Sequence, residues 1–257
     1  MSQMFPSAAV LIIGNEILSG RTRDANLGFL AGALAEIGIQ VRQARVIPDE
    51  LSVIADNVNA LRHNYDSLFT TGGIGPTHDD ITAEAVALAF GLPLTRHPEA
   101  LRRLESHYGP DNLNDMRKRM ADMPEGALLI DNPISSAPGF SLGNVHVLAG
   151  VPMIARAMFE QMKHRLIQGP PLLARTIRAF VAEGVLAKGL KEIQDANADV
   201  SLGSYPFMAD QRLGASIVVR GRDAGRLDEV ADLVATLMKS LNGDPHVETG
   251  EGNTKAL

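Results

Sequence analysis

The chain has 257 residues, 45% hydrophobic and 21% charged, which is enough for one large domain or for a domain with a smaller partner. It contains no cysteine, so disulfides, thiolate nucleophiles and cysteine-based zinc sites are excluded. Its 30 acidic residues outnumber 24 basic ones, giving a net charge of −6. The general basic surface that nucleic-acid binding relies on is not evident, and we expect no nucleic-acid partner.

The start of the chain shows no targeting or membrane segment. Residues 1–6 have no basic region and no long apolar run, so a signal peptide is not expected. The apolar run over residues 8–13 is far shorter than the roughly 20 residues that a membrane span needs. We therefore expect a cytoplasmic protein with no membrane partner.

Strands and helices alternate along the first two-thirds of the chain. Residues 8–14 form a continuous apolar run, which is typical of a strand buried on both faces. Apolar residues then recur at three- and four-residue spacing between strand candidates, which predicts helices. This order favours a three-layer α/β domain with a mostly parallel sheet over residues 1–168. Strands are predicted at residues 8–14, 39–47, 67–71, 127–130 and 145–149, and helices at 27–37, 51–61, 81–90 and 152–167.

A second, smaller domain is predicted after Gly169-Pro170-Pro171. Beyond this boundary the predicted order is strand, helix, strand, strand, helix, which suits a small α+β domain over residues 172–241. Residues 242–257 are polar and contain glycine. We expect them to form a flexible tail.

The sharpest functional signal follows the third predicted strand. Gly72, Gly73 and Gly75 stand within four residues, so backbone N–H groups can converge on one spot. The following helix would add the positive end of its dipole. The pattern is neither a Walker A loop nor Gly-x-Gly-x-x-Gly. The glycines alone fit a phosphate site and a tight turn equally well.

Carboxylates are predicted around this glycine segment. Asp79 and Asp80 follow it, while Glu16 and Asp49 come after the first and second strands, whose carboxyl ends meet in a parallel sheet. Asp79 and Asp80 could merely favour the start of a helix. However, acidic residues beside a phosphate site repel the ligand unless a divalent cation lies between them. We expect Glu16, Asp49, Asp79 and Asp80 to hold Mg²⁺, Mn²⁺ or Co²⁺.

Several other residues are candidates for contacts with the ligand. Thr77 and Asp80 also have capping-box spacing at the start of the helix predicted over residues 81–90. The basic run Arg117-Lys118-Arg119 is interpreted as a solvated helix face. The predicted ligand or phosphate contacts are Gly14, Gly72, Gly73, Gly75, Thr77, His78, Ser136, Pro138 and Gly139.

The stretch from Thr70 to Glu84, with Gly72-Gly73-Ile74-Gly75-Pro76-Thr77-His78-Asp79-Asp80 at its centre, resembles the signature of the MoaB/Mog molybdopterin-binding superfamily. It is most similar to the variant in CinA (competence/damage-inducible) proteins and in the N-terminal domain of eukaryotic FAD synthases. Leu202-Gly203-Ser204-Tyr205-Pro206 resembles the second domain of these proteins. Stretches that agree elsewhere are Gly14–Gly20, Val46–Glu50, Ala137–Gly139 and Ala149–Pro152.

The resemblance implies a cleft of molybdopterin or nucleotide size, with Asp80 as the essential aspartate and Asp49 as its partner. The cofactor-building branch usually has arginine immediately before that aspartate, and this chain has Asp79, which argues against molybdopterin adenylylation. We expect a metal-dependent nucleotide diphosphatase of the ADP-ribose or FAD class with Asp80 and Asp49 as catalytic residues. The alternatives are a molybdopterin-binding protein of molybdenum cofactor biosynthesis and a non-catalytic nucleotide sensor.

The resemblance also bears on partners and on the second domain. It implies a homo-oligomer whose ligand is a small-molecule nucleotide diphosphate or a pterin. The second domain is similar to a KH-like βαββα unit, but nothing between Gly184 and Val200 supplies the Gly-x-x-Gly loop that clamps nucleic-acid backbones. A structural or interface role is therefore expected for it.

Overall fold

The computed structural model of the chain describes residues 5–250. The described residues divide into two compact units, one formed by residues 5–34 and 39–168 and the other by residues 35–38 and 169–250. No helix within residues 5–250 is both long and apolar enough to cross a membrane.

The first unit alternates strands and helices, as the apolar periodicity predicts. Two short 3₁₀ turns, Arg119–Ala121 and Lys163–Arg165, supplement the regular helices. The strands are β1 (Ser7–Ile13), β2 (Gln40–Ile47), β3 (Ser67–Thr71), β4 (Leu94–Arg96), β5 (Asp122–Pro124), β6 (Leu128–Ile130), β7 (Gly139–Leu142) and β8 (Val145–Leu148). The helices are α1 (Asn15–Leu18), α2 (Asn26–Glu36), α3 (Leu51–Arg62), α4 (Thr82–Phe90), α5 (Pro98–Tyr108), α6 (Asp115–Lys118) and α7 (Pro152–Met162).

A six-stranded sheet forms the centre of this unit, with strand order β2-β1-β3-β8-β7-β6. The strands β2, β1, β3 and β8 are parallel to one another, and β7 is antiparallel to both of its neighbours. The predicted α/β class with a mostly parallel sheet is therefore confirmed. A short antiparallel pair, β4 with β5, was not predicted because strands of three residues carry almost no periodicity.

The central strands β1, β3 and β8 are buried almost throughout because helices cover both faces of the sheet. Alternate residues of β1 point to opposite sides, so Leu11 joins a core that also contains Ile54 of α3 and Val86 of α4. On the other face the rings of Phe69 and Phe159 lie 5.9 Å apart. The unit therefore has three layers, with the sheet between two layers of helices. This arrangement explains why strands such as β1 carry hydrophobic residues on both faces.

The second unit contains a four-stranded antiparallel sheet in the order β10-β11-β9-β12. Two helices pack on one face of the sheet, and Ile177, Ile217 and Val234 lie in the core between them. The elements are β9 (Leu173–Ala179), α8 (Glu183–Ala196), β10 (Ser201–Ala209), β11 (Arg212–Gly221), α9 (Ala224–Ser240) and β12 (His246–Gly250).

The prediction of a flexible tail from residue 242 is wrong for its first part. Strand β12 pairs antiparallel with β9, with Val247 opposite Ile177. An edge strand leaves its N–H and C=O groups unpaired, and a following segment can pair with them whatever its side chains are. A sequence pattern based on apolar residues therefore misses such a strand. Residues 251–257 lie outside the described part of the chain.

The buried histidine of β8 generates a prediction about pH. His146 contacts the ring of Phe69, and its Nδ1 lies 2.9 Å from Ser141 Oγ. Burial, assisted by the positive charge of Arg165, lowers the pKa of His146 to about 4. Unfolded chains bind a proton at this residue below about pH 6.5 while the folded protein does not, so its contribution to stability falls as pH drops from about 6.5 to about 4.

The unfolding free energy of the parent protein should fall on going from pH 7 to pH 4.5. In His146→Asn this fall should be smaller by about 2–3 kcal/mol. Asparagine can still hydrogen-bond Ser141 but does not titrate. Urea denaturation of both proteins at the two pH values measures the difference. An identical pH dependence in the parent and the variant would contradict the assignment.

Candidate functional site

The carboxyl ends of the parallel strands meet at one edge of the first unit's sheet. After β1 the chain turns at Gly14, whose N–H donates to the carbonyl of Ile47 at the end of β2 over 3.1 Å. After β3, the N–H of Gly72 donates to the carbonyl of Leu148 at the end of β8 over 3.3 Å. These two hydrogen bonds join the loops in pairs. The four strands therefore place four loops side by side.

An open cleft of about 570 Å³ lies among these loops. We call it the carboxylate cleft because Glu16, Asp49, Asp79 and Asp80 all line it. It also takes in the glycine segment and the loop after β8. Its other lining residues are Ile13, Thr22, Gly72, Gly73, Ile74, Gly75, Pro76, Thr77, Tyr108, Met120, Asn132, Ser135, Ala137, Ala149, Gly150, Val151, Pro152 and Ile154.

The glycine segment is held by very close backbone contacts. Gly72 has φ of 102°, and a Cβ there would lie 2.1 Å from the carbonyl oxygen of Ile13. Gly73 has φ of 67°, and a Cβ there would lie 2.3 Å from Thr82 Oγ1. Thr82 closes the turn, because its hydroxyl donates to the Gly72 carbonyl over 2.9 Å and its N–H to the Gly73 carbonyl over 3.0 Å. Glycine is therefore needed here for the turn itself.

The same turn leaves backbone donors available. The N–H groups of Gly73, Ile74 and Gly75 have no hydrogen-bond acceptor among residues 5–250. All three residues line the carboxylate cleft. Unpaired N–H groups ahead of a helix are suited to anions. The turn and the anion-binding interpretations of the glycines are thus compatible.

Two of the carboxylates are fixed by backbone N–H groups. Asp80 Oδ2 accepts hydrogen bonds from the Thr77 N–H over 2.8 Å and from the Thr77 hydroxyl. Asp49 Oδ2 accepts one from the Asn15 N–H over 2.8 Å. In both side chains the second oxygen, Oδ1, has no hydrogen-bond donor in the described part of the chain. Each carboxylate is therefore oriented while one oxygen stays available.

The capping-box prediction for Thr77 and Asp80 is wrong. Helix α4 begins at Thr82 with Ile81 as its N-cap residue, and no side chain caps it. The pairing of Thr77 with Asp80 instead closes a separate turn ahead of the helix, where the N–H of Asp80 donates to the Thr77 carbonyl over 3.3 Å. Capping-box spacing cannot distinguish the first turn of a helix from a turn just before it.

The remaining two carboxylates are exposed at the rim. Glu16 and Asp79 are both exposed to solvent. The Thr77 hydroxyl and the backbone N–H of Asp79 hold the pKa of Asp79 below its usual range, and the neighbouring His78 contributes to the same effect. None of the described residues that line the cleft is lysine, arginine or histidine. Arg119, from the run interpreted as a solvated face, lines a small adjoining pocket instead.

The four carboxylates do not form a ready-made metal site. No three His, Asp or Glu side chains among residues 5–250 are grouped so that they could hold a metal ion. Their oxygen atoms are nevertheless the donors that Mg²⁺ and Mn²⁺ prefer. Mg²⁺ commonly takes only one or two carboxylates and completes its shell with water and substrate phosphates. The donor set therefore fits a cation that enters with a phosphate ligand.

Several predicted ligand contacts do not line the cleft. The side chain of His78 is 93% exposed, and its Nδ1 lies 4.0 Å from Asp79 Oδ1. Ser136 lies in a neighbouring groove, where its Oγ is 3.3 Å from His107 Nδ1. The sequence places His78 just after the glycine segment and Ser136 in the loop before β7. It does not determine which way their side chains point.

The other three predicted contacts also lie outside the lining of the cleft, and two of them are glycines with backbone roles. Pro138 lines the small adjoining pocket rather than the cleft. Gly139 opens β7, where a Cβ would lie 2.2 Å from the carbonyl oxygen of Val147 on β8. Gly14 precedes α1 and joins the ends of β1 and β2 through its N–H.

The sequence analysis missed several side chains of the cleft, among them Asn132 and Tyr108. Asn132 organises the loop before β7, with Nδ2 donating to Ser135 Oγ over 2.7 Å and to the Ala137 carbonyl over 2.8 Å. The dipeptide Asn132-Pro133 is a turn signal that could have located it. Tyr108, at the end of α5, reaches the cleft only through tertiary packing. No local sequence signal marks it.

A mostly parallel sheet whose strand ends frame a glycine-rich, acidic cleft defines an α/β domain with an open cleft at the edge where such sheets hold ligands. The chain belongs to the family of probable molybdopterin binding domains, which matches residues 9–169, and within it to the CinA-like proteins. Residues 171–244 match a second family, described as the FAD synthase middle domain.

Relatives cover both units. A protein of Aeropyrum pernix is 32% identical over 249 residues, which span 92% of this chain and 91% of that protein. A CinA-like protein of Salinibacter ruber is 30% identical, and the match spans 97% of this chain but only 63% of the relative. The crystal structure of CinA from Thermoplasma acidophilum, described as having unknown function, is 35% identical with a TM-score of 0.60. It covers 63% of this chain and 98% of its own.

The close contact at Gly73 can be tested against a matched glycine at the other end of α4. Gly91 has φ of 65°, nearly that of Gly73, but a Cβ there would meet no atom within 4 Å. We expect Gly91→Ala to cost about 1 kcal/mol of unfolding free energy, the usual penalty of a left-handed alanine. Gly73→Ala should cost about 1–3 kcal/mol more, because Thr82 must move. Urea denaturation measures both, and equal losses would show that the approach of Thr82 is not a constraint.

Proposed function

We propose that the carboxylate cleft binds a nucleotide diphosphate together with a divalent cation and hydrolyses the diphosphate bond. The observation that carries this proposal is the charge of the cleft. Glu16, Asp49, Asp79 and Asp80 line it, and no basic side chain among the described lining residues offsets them. A volume of about 570 Å³ suits a ligand of nucleotide size.

Electrostatics makes the cation necessary for this ligand. Two like unit charges about 4 Å apart repel by about 4 kcal/mol at an effective dielectric constant of 20. A diphosphate beside even two of these carboxylates would therefore be repelled by several kcal/mol. A divalent cation between them reverses the sign of the interaction. Metal dependence thus follows from the lining and is the property to measure first.

The side chains have distinct roles in this proposal. Asp49 and Asp80 would hold the cation, because backbone N–H groups of Asn15 and Thr77 orient their carboxylates and leave one oxygen of each without a donor. Glu16 and Asp79, exposed at the rim, attract the cation to the cleft. When bound, a divalent cation stabilises charge on the bridging oxygen and lowers the pKa of a coordinated water.

The chain itself positions the phosphates and the water. The N–H groups of Gly73, Ile74 and Gly75 bind phosphate oxygens and stabilise the charge that develops during attack. Asp80 orients the attacking water towards phosphorus. Addition of one water across the P–O–P bridge releases two monophosphates, for example AMP and ribose 5-phosphate from ADP-ribose.

Two observations support the ADP-ribose or FAD class of substrate. The cleft has nucleotide size, and residues 171–244 match the FAD synthase middle domain. The direct experiment incubates the purified protein with ADP-ribose, FAD and NAD, with and without Mg²⁺, Mn²⁺ or Co²⁺. Chromatography of the products should show AMP formed only when a cation is present. No cleavage of any diphosphate under these conditions would refute the proposed activity.

Pterin binding is the second candidate, because the family that matches residues 9–169 is described as molybdopterin binding. Asp79 argues against it as the main role, since it puts a carboxylate where the resemblance leads us to expect arginine. A non-catalytic nucleotide sensor would share the cleft with the diphosphatase. Binding of ADP-ribose with metal but without turnover would favour the sensor.

Asp80→Asn tests the central catalytic assignment. The amide keeps the shape of the side chain, and its oxygen can still accept from Thr77, but the charge is lost. We expect turnover to fall by at least about 10²-fold, the usual cost of removing a group that stabilises charge in the transition state. Stability should change by about 1 kcal/mol or less. Initial rates and urea denaturation measure the two effects.

A matched control is Asp56→Asn, which removes one carboxylate from the exposed side of α3, outside the cleft. This variant should retain the rate and the metal dependence of the parent protein. If Asp80→Asn also retains both, Asp80 only closes the turn with Thr77 and the mechanism is wrong.

A further inference from the structure

A second feature of the molecule lies on the sheet of the second unit. Helices α8 and α9 cover one face of this sheet, where Ile177 and Ile217 are buried. Strand alternation and pairing place a set of arginine and aromatic side chains on the opposite face. We call this set the arginine–aromatic face. It consists of Arg178, Phe180, Tyr205, Phe207, Arg212 and Arg220.

The arginines of this face lie on the rings. The Arg178 guanidinium carbon is 4.1 Å from the centroid of the Phe207 ring, and that of Arg212 is 4.3 Å from the Phe180 ring. The two phenylalanine rings meet edge to face at 5.5 Å. Cation–π contacts of this kind hold the planar guanidinium groups in place.

Arg220 continues the pattern at the other end of β11. Its guanidinium carbon is 5.7 Å from the Tyr205 ring centroid, and its Nη2 donates to the Tyr205 hydroxyl over 2.9 Å. Arg212 and Arg220 are eight residues apart on one strand, a distance of about 27 Å at about 3.4 Å per residue. The face is therefore long enough for several nucleotides.

The positive charges of this face have no carboxylate partner. Among the described residues, no Asp or Glu oxygen lies within 4.0 Å of the guanidinium groups of Arg178, Arg212 or Arg220. Elsewhere in the same unit, Arg175 pairs with Asp228 at 2.7 Å and Arg226 with Asp199 at 2.8 Å. No ion pair among the described residues therefore neutralises Arg178, Arg212 and Arg220, unlike Arg175 and Arg226.

Two of the rings and one guanidinium group are open to solvent, since Arg212 is exposed as well, while Phe207, Arg178 and Arg220 are half-buried. Tyr205 is 48% exposed and Phe180 is 38% exposed. A guanidinium held flat on a ring can stack a base on its outer side, while its edge N–H groups donate to phosphate oxygens. Stacking surfaces interleaved with positive charge are how proteins bind single strands without reading their sequence.

We propose that the arginine–aromatic face binds single-stranded nucleic acid. The net charge of −6 predicts the opposite, but it averages over the whole molecule and conceals this local concentration of arginine. The binding mode uses an open sheet face and needs no Gly-x-x-Gly loop. It is independent of the diphosphate proposal, because none of its residues lines the carboxylate cleft.

The test measures fluorescence anisotropy of labelled oligo(dT) and oligo(U) strands titrated with the full chain at low salt. We expect saturable binding of at least one of the two, and a comparison of the two separates DNA from RNA preference. Raising the salt should weaken binding, because each phosphate contact contributes about 0.7 to the slope of log affinity against log salt.

Variants distinguish binding through this face from a general attraction of nucleic acid to positive charge. Arg178→Gln with Arg212→Gln should weaken binding about tenfold or more and lower the salt slope by about 1.4. Phe180→Leu with Phe207→Leu keeps the charges and should weaken binding with little change in salt slope. The control, Lys188→Gln with Lys191→Gln, removes two charges from α8 and should leave affinity unchanged. Thermal melting confirms that each variant is folded.

Three results would overturn the proposal. They are no binding by the parent protein, equal affinity of the parent and the arginine variant, and equal losses in the arginine variant and the lysine control. Sedimentation velocity supplies the competing outcome. If the arginine variant loses self-association while neither protein binds an oligonucleotide, the face is an interface between copies of this chain instead.

Discussion

The carboxylate cleft depends on the parallel alignment of β2, β1, β3 and β8, because parallel strands bring their carboxyl ends to one edge of the sheet. The contact that sets how tightly these ends converge is the approach of Gly72 to the carbonyl of Ile13, where a Cβ would lie only 2.1 Å away. Glu16 and Asp80, which are more than sixty positions apart in the chain, thereby share one cleft. Without this alignment Asp49 and Asp80 would be unrelated surface residues.

The fold also limits what the acidic side chains can do. Asp49 and Asp80 are tethered through hydrogen bonds to backbone N–H groups, so their charges cannot move away from the cleft when an anion arrives. The same loops contribute unpaired N–H groups from Gly73 to Gly75. Repulsive carboxylates and attractive N–H donors therefore face one space. Such a combination suits a phosphate group accompanied by a cation better than a bare anion.

Most of the first unit could be predicted from sequence because its strands are buried on both faces and its helices have a clear apolar period. Strand β3 is predicted over residues 67–71 and found at Ser67–Thr71. Strands β7 and β12 and the pair β4 with β5 were missed, because backbone pairing or very short length leaves no apolar pattern. At the site, the segments were predictable from strand ends. Tertiary packing decides the side-chain directions of His78 and Ser136 and the position of Tyr108. These features could not be predicted from the sequence.

The most direct test of the account is the metal dependence of ligand binding, which does not require turnover. Isothermal titration calorimetry of the full chain with a non-hydrolysable methylene analogue of ADP should show binding with Mg²⁺ or Mn²⁺ and at least about tenfold weaker binding in EDTA, because the lining of the cleft is acidic. The double substitution Glu16→Gln with Asp79→Gln should reduce the difference between the affinity measured with the cation and the affinity measured in EDTA. Equally tight binding in EDTA and in Mg²⁺ would contradict a cation-mediated diphosphate site.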